Sequence, residues 1–234
     1  MTRMILLLLL IALVLIGCNV EVTNNDSEKT AAVALEKSTT DSAINIETSS
    51  SIEDPPEYLA KHEEELSMED SQTGYEMCVR VLTDYYKAVW NGIDIDLDAF
   101  IDNENLKQYM LKKIQSQHDL HADSNDPVHT VEIGNQDLEW EVEYTADADG
   151  GYLYLKLPAE INKSVGGFGE LTEFLVRNVN GRLVVVDWYT GGKDTYDFLV
   201  RGENETIDNP DIWNDREWVH DLERKQNEFS GSTR

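Results

Sequence analysis

Three aspartates at alternate positions, Asp94, Asp96 and Asp98, have the spacing of the first three ligands of a calcium-binding loop. Such a loop also needs a glycine at its sixth position and a glutamate at its twelfth. Ala99 and Asn105 stand at those positions. The aspartates are therefore predicted to cap helical turns instead of binding a metal.

Two further groups have metal-ligand residues without a complete motif. The acidic stretch around Asp147 has Lys156 at the closing position of a calcium loop, so it predicts a hairpin turn. His118 and His121 would share one face of a helix, but the polar stretch 118–127 predicts a loop. We expect no metal site and no cofactor from these patterns.

The chain contains two cysteines, Cys18 and Cys78, and no sequence motif of a serine or cysteine nucleophile. Cys78 lies among apolar residues at helical spacing and is predicted to be buried in the core. No catalytic residue is predicted.

Aromatic residues at strand and helix positions suggest a pocket between a sheet and a helix. The candidates are Tyr86, Trp140, Tyr144, Tyr154 and Trp188. Asp187 precedes Trp188 in a strongly apolar segment. If Asp187 points inward, burial would raise its pKa and make it a plausible acid or base. If it points outward, it is an ordinary exposed residue of a strand.

Helices are predicted in the part of the chain that precedes these strands. Thr73 and Glu76 have the spacing of a capping box, and the helix that follows should end at Asn91-Gly92. Asp102 can cap a later helix, which carries four apolar residues at helical spacing and ends near Gln117.

From Val128 onward the apolar period changes to two, which is typical of strands with one buried face. An Asn-Gly pair at 180–181 between two apolar runs predicts a hairpin. The glycine-rich segment 166–169 predicts a turn. The predicted strands are 128–133, 138–144, 152–157, 171–179 and 183–189, a possible edge strand covers 196–200, and a C-terminal helix covers 214–226.

Helices followed by an antiparallel sheet indicate an α+β domain, predicted to span residues 68–234. Over Tyr75 to Tyr189 this order of elements resembles the NTF2-like, or cystatin-like, fold. The resemblance implies helices packed on a curved antiparallel sheet, in the shape of a cone. It also implies a mouth that either holds a small molecule or contacts another protein.

The N-terminus has the pattern of an export signal. Arg3 precedes an unbroken apolar run from Ile5 to Ile16, which is too short to span a bilayer. The four residues that end in Gly17-Cys18 resemble the lipobox of bacterial lipoproteins. This resemblance implies removal of residues 1–17 and lipidation of Cys18. The alternatives are an ordinary signal peptide with Cys18 as an incidental thiol, or an anchor that is not cleaved.

Residues 18–67 are rich in acidic and small polar residues and predict a disordered tether after the lipidated cysteine. The whole chain has a formal charge of −27. Such a charge argues against nucleic acid, and against an anionic membrane surface, as a direct partner.

The sequence thus predicts a lipoprotein anchored to the cell membrane through Cys18 and facing outside the cytoplasm. Its expected function is binding or protein interaction in the cell envelope, and the expected partner is an envelope protein. The alternatives are a small-molecule-binding or catalytic pocket in the same cone, and a structural or immunity role.

Overall fold

The structure, a computed structural model, describes residues 57–122, 128–134, 139–202 and 207–232, together with the backbone of a short strand at 43–45. These residues form helices and an antiparallel sheet, so the predicted α+β class is confirmed. The predicted signal peptide, Cys18 and most of the predicted tether lie outside the described residues. Among the helices of the described part, none is long and apolar enough to cross a membrane.

Helix α1 spans Ser71–Asn91 and starts earlier than its predicted cap. A 3-10 turn, Met68–Asp70, leads into it, and the capping box of that turn is formed by Ser67 and Asp70, in which Asp70 Oδ2 accepts a hydrogen bond from Ser67 N at 2.9 Å. The predicted box that begins at Thr73 is wrong, because Thr73 lies inside the helix. The predicted end is confirmed: Gly92 adopts a left-handed φ of 66°, which glycine adopts without strain.

Helix α2 spans Glu104–Ala122 and continues past its predicted end at Gln117. Its cap is Asn103, one residue after the predicted Asp102. Asn103 Oδ1 accepts hydrogen bonds from the backbone N–H groups of residues 105 and 106. The predicted loop at 118–127 is therefore wrong in its first part, which is helical.

Every pair of neighbouring strands in the sheet is antiparallel. Strand β4 is central, since β2 and β3 pair with its two halves along one edge while β5 pairs with the other edge. β6 follows β5, and the three-residue β1 pairs with β2. The strands are β1 (Ala43–Asn45), β2 (Val128–Ile133), β3 (Glu141–Thr145), β4 (Tyr152–Lys163), β5 (Gly166–Val179) and β6 (Arg182–Gly191).

The predicted hairpin between β5 and β6 is confirmed. Val179 pairs with Arg182, and Asn180 and Gly181 between them have φ values of 54° and 82°. Positive φ at both central residues is what a two-residue hairpin turn requires. The predicted turn at 166–169 is wrong, because these glycines are the first residues of β5 and pair with β4.

The C-terminal part differs from its prediction at one element. Residues predicted as an edge strand form the short helix α3, Tyr196–Arg201. Thr195 caps it through a hydrogen bond from Phe198 N to the threonine hydroxyl. The predicted C-terminal helix is confirmed as α4, Arg216–Ser232, with a later start and a later end.

The main core lies between α1, α2 and one face of the sheet, which we call the inner face. Along β4, alternate residues from Leu153 to Ile161 are buried on the inner face, whereas Tyr152, Tyr154 and Lys156 point to the opposite, outer face. Cys78 of α1 is fully buried in this core, as predicted. Burial raises the pKa of its thiol, so it is protonated and unreactive at neutral pH.

The last residues of the predicted tether belong to the domain. Tyr58 and Leu66 are buried in the main core. The Tyr58 carbonyl accepts a hydrogen bond from Leu183 N at 2.7 Å, and Ala60 N donates to the Gly181 carbonyl at 2.8 Å. The prediction of disorder up to residue 67 is therefore wrong over 58–66. The run of glutamates at 63–65 makes this segment appear polar in composition, although Tyr58 and Leu66 pack it against the domain.

Candidate functional site

Polar side chains occupy the middle of an otherwise apolar inner face. On β5 the residues that share this face alternate as Phe168, Glu170, Thr172 and Phe174, because their partners on β4 are inner-face residues. Thr172 also pairs with Thr190 of β6, and the two hydroxyl oxygens lie 3.4 Å apart. A core that served only stability would carry apolar residues at these positions, so the group is a candidate site.

Helix α2 contributes a lysine to the same region. Lys113 is only 1% exposed, and its Nζ lies 2.6 Å from Oδ2 of Asp197, which is fully buried at the start of α3. Nζ also donates to Thr190 Oγ1 at 3.0 Å. The Asp197 carboxylate accepts two more hydrogen bonds at 2.6 Å, from the Tyr109 hydroxyl and from Thr190 N. The charges compensate each other, and the carboxylate has several donors, as a buried ion pair requires.

The tyrosine of this network stays protonated. Burial raises the pKa of Tyr109 well above its usual value, and the negative charge of Asp197 adds to the shift. Tyr109 therefore remains a hydrogen-bond donor to Asp197 at any physiological pH. The network joins α2, α3 and β6 in one fixed arrangement, which is a positioning role and not an acid–base role.

Glu170 differs from this pair because no cation of the described residues lies within ion-pair distance of it. Its Oε2 accepts a hydrogen bond from the Tyr86 hydroxyl of α1 at 2.9 Å, the one donor found for it among the described residues. Burial raises the pKa of Glu170, although the Tyr86 hydrogen bond and the charge of Lys113 offset part of the increase. A half-buried carboxyl with unused acceptor positions can exchange a proton with a bound molecule or accept a hydrogen bond from it.

Beyond Glu170, toward the turn between β4 and β5, lie four side chains that we call the rim cluster: Trp90, His121, Lys163 and Phe168. The rings of Trp90 and His121 stack with centroids 3.9 Å apart. Lys163 Nζ lies 4.5 Å from the centroid of Trp90 and 5.3 Å from that of Phe168, which is 40% exposed. Burial, and secondarily the charge of Lys163, lowers the pKa of His121, so this imidazole is neutral at pH 7.

Asp187 is buried, but neither of the two predicted alternatives describes its surroundings. It pairs with Leu175, whose side chain belongs to a second small apolar cluster, while the next residue, Trp188, pairs with inner-face Phe174. Asp187 therefore points to the outer face. Its two oxygens bind Arg201 at 2.9 and 3.0 Å, and Oδ1 also accepts from Trp213 Nε1 at 2.8 Å.

This arginine neutralises Asp187. Burial alone would lower the pKa of Arg201, but the charge and hydrogen bonds of Asp187 outweigh that effect and raise it. A carboxylate held in this way by a permanent cation stabilises the packing of α3 and Trp213 against β6. It does not act as the proton-exchanging group that an inward Asp187 was expected to provide.

The predicted aromatic pocket is not one site. Tyr86 and Trp188 lie on the inner side, where Trp188 contacts Tyr85 with ring centroids 5.4 Å apart. Tyr154 lies on the outer face and donates to Glu173 at 2.8 Å. Two residues are at the β3 side of the sheet: Trp140 stacks on Tyr75 at 4.4 Å, and Tyr144 is 37% exposed.

Sequence reasoning missed Lys113, Glu170, Thr172 and Asp197. A signal was present for three of them. Lys113 follows Tyr109 by four residues on the buried face of α2, and Glu170 and Thr172 share the alternation of Phe168 and Phe174. A charged or polar residue at a core position of an otherwise apolar pattern marks a buried network.

The acidic and histidine groups considered as metal ligands have structural roles. Asp96 caps a short 3-10 turn by accepting from Asp98 N, and Asp147 closes its hairpin turn by accepting from residues 149 and 151. His118 Nδ1 lies 3.0 Å from the Val89 carbonyl oxygen. Across the described ranges, no three His, Cys, Asp or Glu side chains are placed to hold a metal ion.

Comparisons with known protein families, with curated proteins and with solved structures find no match to this chain. The proposed function is therefore based on the arrangement of the residues described above.

Proposed function

We propose that this chain is a lipid-anchored lipoprotein facing outside the cytoplasm, whose α+β domain of NTF2-like type is a binding module of the cell envelope. The anchor rests on the apolar run 5–16 followed by Gly17-Cys18. The NTF2-like cone is supported by the order of the elements, with two helices ahead of an antiparallel sheet, and by a bulge opposite Leu175–Val176 that bends β6. We assign binding to the end of the inner face that carries Glu170 and the rim cluster.

The observation that carries the binding role is the environment of Glu170. An acidic side chain on the core side of a strand costs stability unless it is fully paired. Glu170 has one donor and a raised pKa, whereas Asp197 in the same interior has three donors. A group that costs stability and is incompletely satisfied suits a molecule that binds beside it.

The anchor is tested by replacing Cys18 with alanine in the full-length chain and fractionating cells. We expect the C18A variant to leave the membrane fraction, because several acyl chains are needed for stable anchoring and this residue would carry them. The chain's other cysteine supplies the control, so C78A should remain on membranes. Continued membrane association of C18A would overturn the lipoprotein proposal.

The binding role is tested by cross-linking the full-length protein in cells and identifying the captured molecules. We expect one reproducible partner or ligand with the unaltered chain and its loss with Phe168→Ala, which removes the exposed aromatic ring of the rim cluster. Leu199→Ala is the control, since Leu199 is an exposed apolar residue of α3, outside the rim cluster. Equal capture by both variants would show that the rim cluster is not the binding surface.

A second candidate function is catalysis in the same place. Glu170 with a raised pKa, next to the Tyr86 hydroxyl, has the properties of a general acid or base. This candidate requires Glu170 itself for turnover, whereas a binding module retains most of its function when Glu170 is replaced by glutamine.

A further inference from the structure

The rim cluster contains a lysine that forms no ion pair with any described residue, although the chain is strongly acidic. Acidic residues number 46 against 19 basic ones. Even so, no carboxylate of the described residues lies within ion-pair distance of Lys163, and its neighbours are the rings of Trp90 and Phe168. By contrast Lys156, on the same strand but on the outer face, pairs with Glu141 at 3.2 Å.

Trp90 provides a second donor without an acceptor. Its Nε1 is buried and makes no hydrogen bond within the described part of the chain. Leaving such a donor unpaired lowers the stability of the folded state. Together, Lys163 and Trp90 present one cation and one N–H group whose missing partners are both acceptors.

The rim cluster also presents flat apolar surface. Phe168 is 40% exposed and Val165, in the turn between β4 and β5, is 84% exposed. Lys163 lies over both Trp90 and Phe168, so an anion that paired with its ammonium group would be held beside two aromatic rings. Such rings favour a planar apolar body.

We propose that the rim cluster binds a small organic carboxylate with a planar apolar body, whose carboxylate pairs with Lys163 and whose body packs against the exposed ring of Phe168. This inference rests on the proposed binding function and names the class of ligand. A cationic ligand is disfavoured because Lys163 and the buried Lys113 both face this end of the inner face.

Glu170 adds a pH signature to such binding. It follows Phe168 by two residues on the same face, so a bound carboxylate favours its protonated form. Binding therefore takes up a proton, and over the pH range in which the ligand's own carboxyl is ionised the affinity falls as the pH rises through the pKa of Glu170. The titratable and charged groups that act on Glu170 from the surrounding elements are Tyr85, Tyr86, Lys113, Lys163 and Asp197.

The test measures binding of 2-naphthoate, its neutral amide 2-naphthamide and the cation 2-naphthylmethylammonium to the full-length protein in detergent, by calorimetry. We expect naphthoate to bind at least about tenfold more tightly than the amide, because a charge-assisted hydrogen bond contributes about 1.5–3 kcal/mol. The ammonium compound should bind most weakly. Equal affinities for naphthoate and the amide, or no binding of naphthoate, would overturn the inference.

Matched variants locate the site. Lys163→Met keeps the apolar stem over the rings and should lose the preference for naphthoate, whereas Lys156→Met should retain it. Glu170→Gln should keep naphthoate binding and lose most of its pH dependence. Unchanged naphthoate affinity in Lys163→Met would refute the assignment even if the protein binds the probe elsewhere.

Failure of this inference is distinct from failure of the proposed function. If the cross-linking experiment captures a partner that depends on Phe168 but naphthoate does not bind, the binding module stands and only the carboxylate class is wrong. If naphthoate binds through Lys163 while C18A stays on membranes, the ligand class stands and the anchor is wrong.

Discussion

At the scale of single residues, two acidic side chains on the inner side of the sheet, Asp197 and Glu170, have contrasting surroundings. Asp197 is compensated by Lys113 and by two further donors, whereas Glu170 has one hydrogen bond. Burial penalises a charge in either case, and the number and sign of the partners decide the outcome. Asp197 thus fixes the arrangement of the elements, whereas Glu170 is available to a ligand.

The pair of Lys113 and Asp197 should be costly to break from one side. We expect Lys113→Met to lower the free energy of unfolding by about 3–5 kcal/mol, because it leaves Asp197 buried without a cation. Adding Asp197→Asn should recover part of that loss. Chemical denaturation measures both effects.

Lys107 is the surface control for this prediction. It pairs with Asp98, which is 79% exposed, so Lys107→Met should change the free energy of unfolding far less than Lys113→Met. A double variant of the buried pair that loses the full sum of the two single effects would contradict the prediction.

At the scale of elements, the inner face of the sheet is covered by helices of different length. Helices α1 and α2 pack along it, while α3 and Trp213 join the same core beside β6 and bind Asp187 through Arg201 and Trp213 Nε1. The segment 57–67 adds cover at the start of β6, where it exchanges backbone hydrogen bonds with residues 181 and 183. These short segments bury core residues that the long helices do not cover.

The segment before α1 should therefore contribute to stability. We expect Leu66→Ala to lower the free energy of unfolding by about 2–4 kcal/mol, because Leu66 is 2% exposed and its removal leaves a cavity. Leu59→Ala in the same segment should cost less than about 0.5 kcal/mol, since Leu59 is 55% exposed. Thermal or urea unfolding of the two variants measures the difference, and equal small effects would place the segment outside the domain.

At the scale of the whole molecule, charge is strongly unbalanced. The formal charge of −27 is distributed along the chain, and most of the ion pairs between the described residues are on the surface. Repulsion between unpaired carboxylates opposes the compact state, whereas exposed ion pairs contribute little to it.

Added salt should consequently stabilise the protein. We expect the melting temperature to rise between about 0.02 and 0.3 M NaCl, because the screening length then falls from about 20 Å to about 6 Å and carboxylate repulsion weakens. Calorimetry at pH 7 tests this, with sucrose of equal osmolality as an uncharged control. A melting temperature that falls with salt would mean that the surface ion pairs outweigh the net repulsion.

Local patterns in the sequence were sufficient to predict much of the fold. The change of apolar period at Val128, the stop at Gly92 and the Asn-Gly turn identified the α+β class, the end of α1 and the hairpin of β5 and β6. Each depends on the conformation of a few neighbouring residues, which sequence reports directly. The export signal and Cys18 are equally local, and they stay predictions.

The contacts between polar groups were determined only by the tertiary structure. Lys113 and Asp197 are separated by five strands in the chain, and their contact follows from the packing of α2 and α3 on β6. Asp187 points outward and meets Arg201 because a bulge shifts the register of β6 after Val185. Burial and pairing of charges depend on such long-range contacts, so the site at Glu170 could be found only once the elements were assembled.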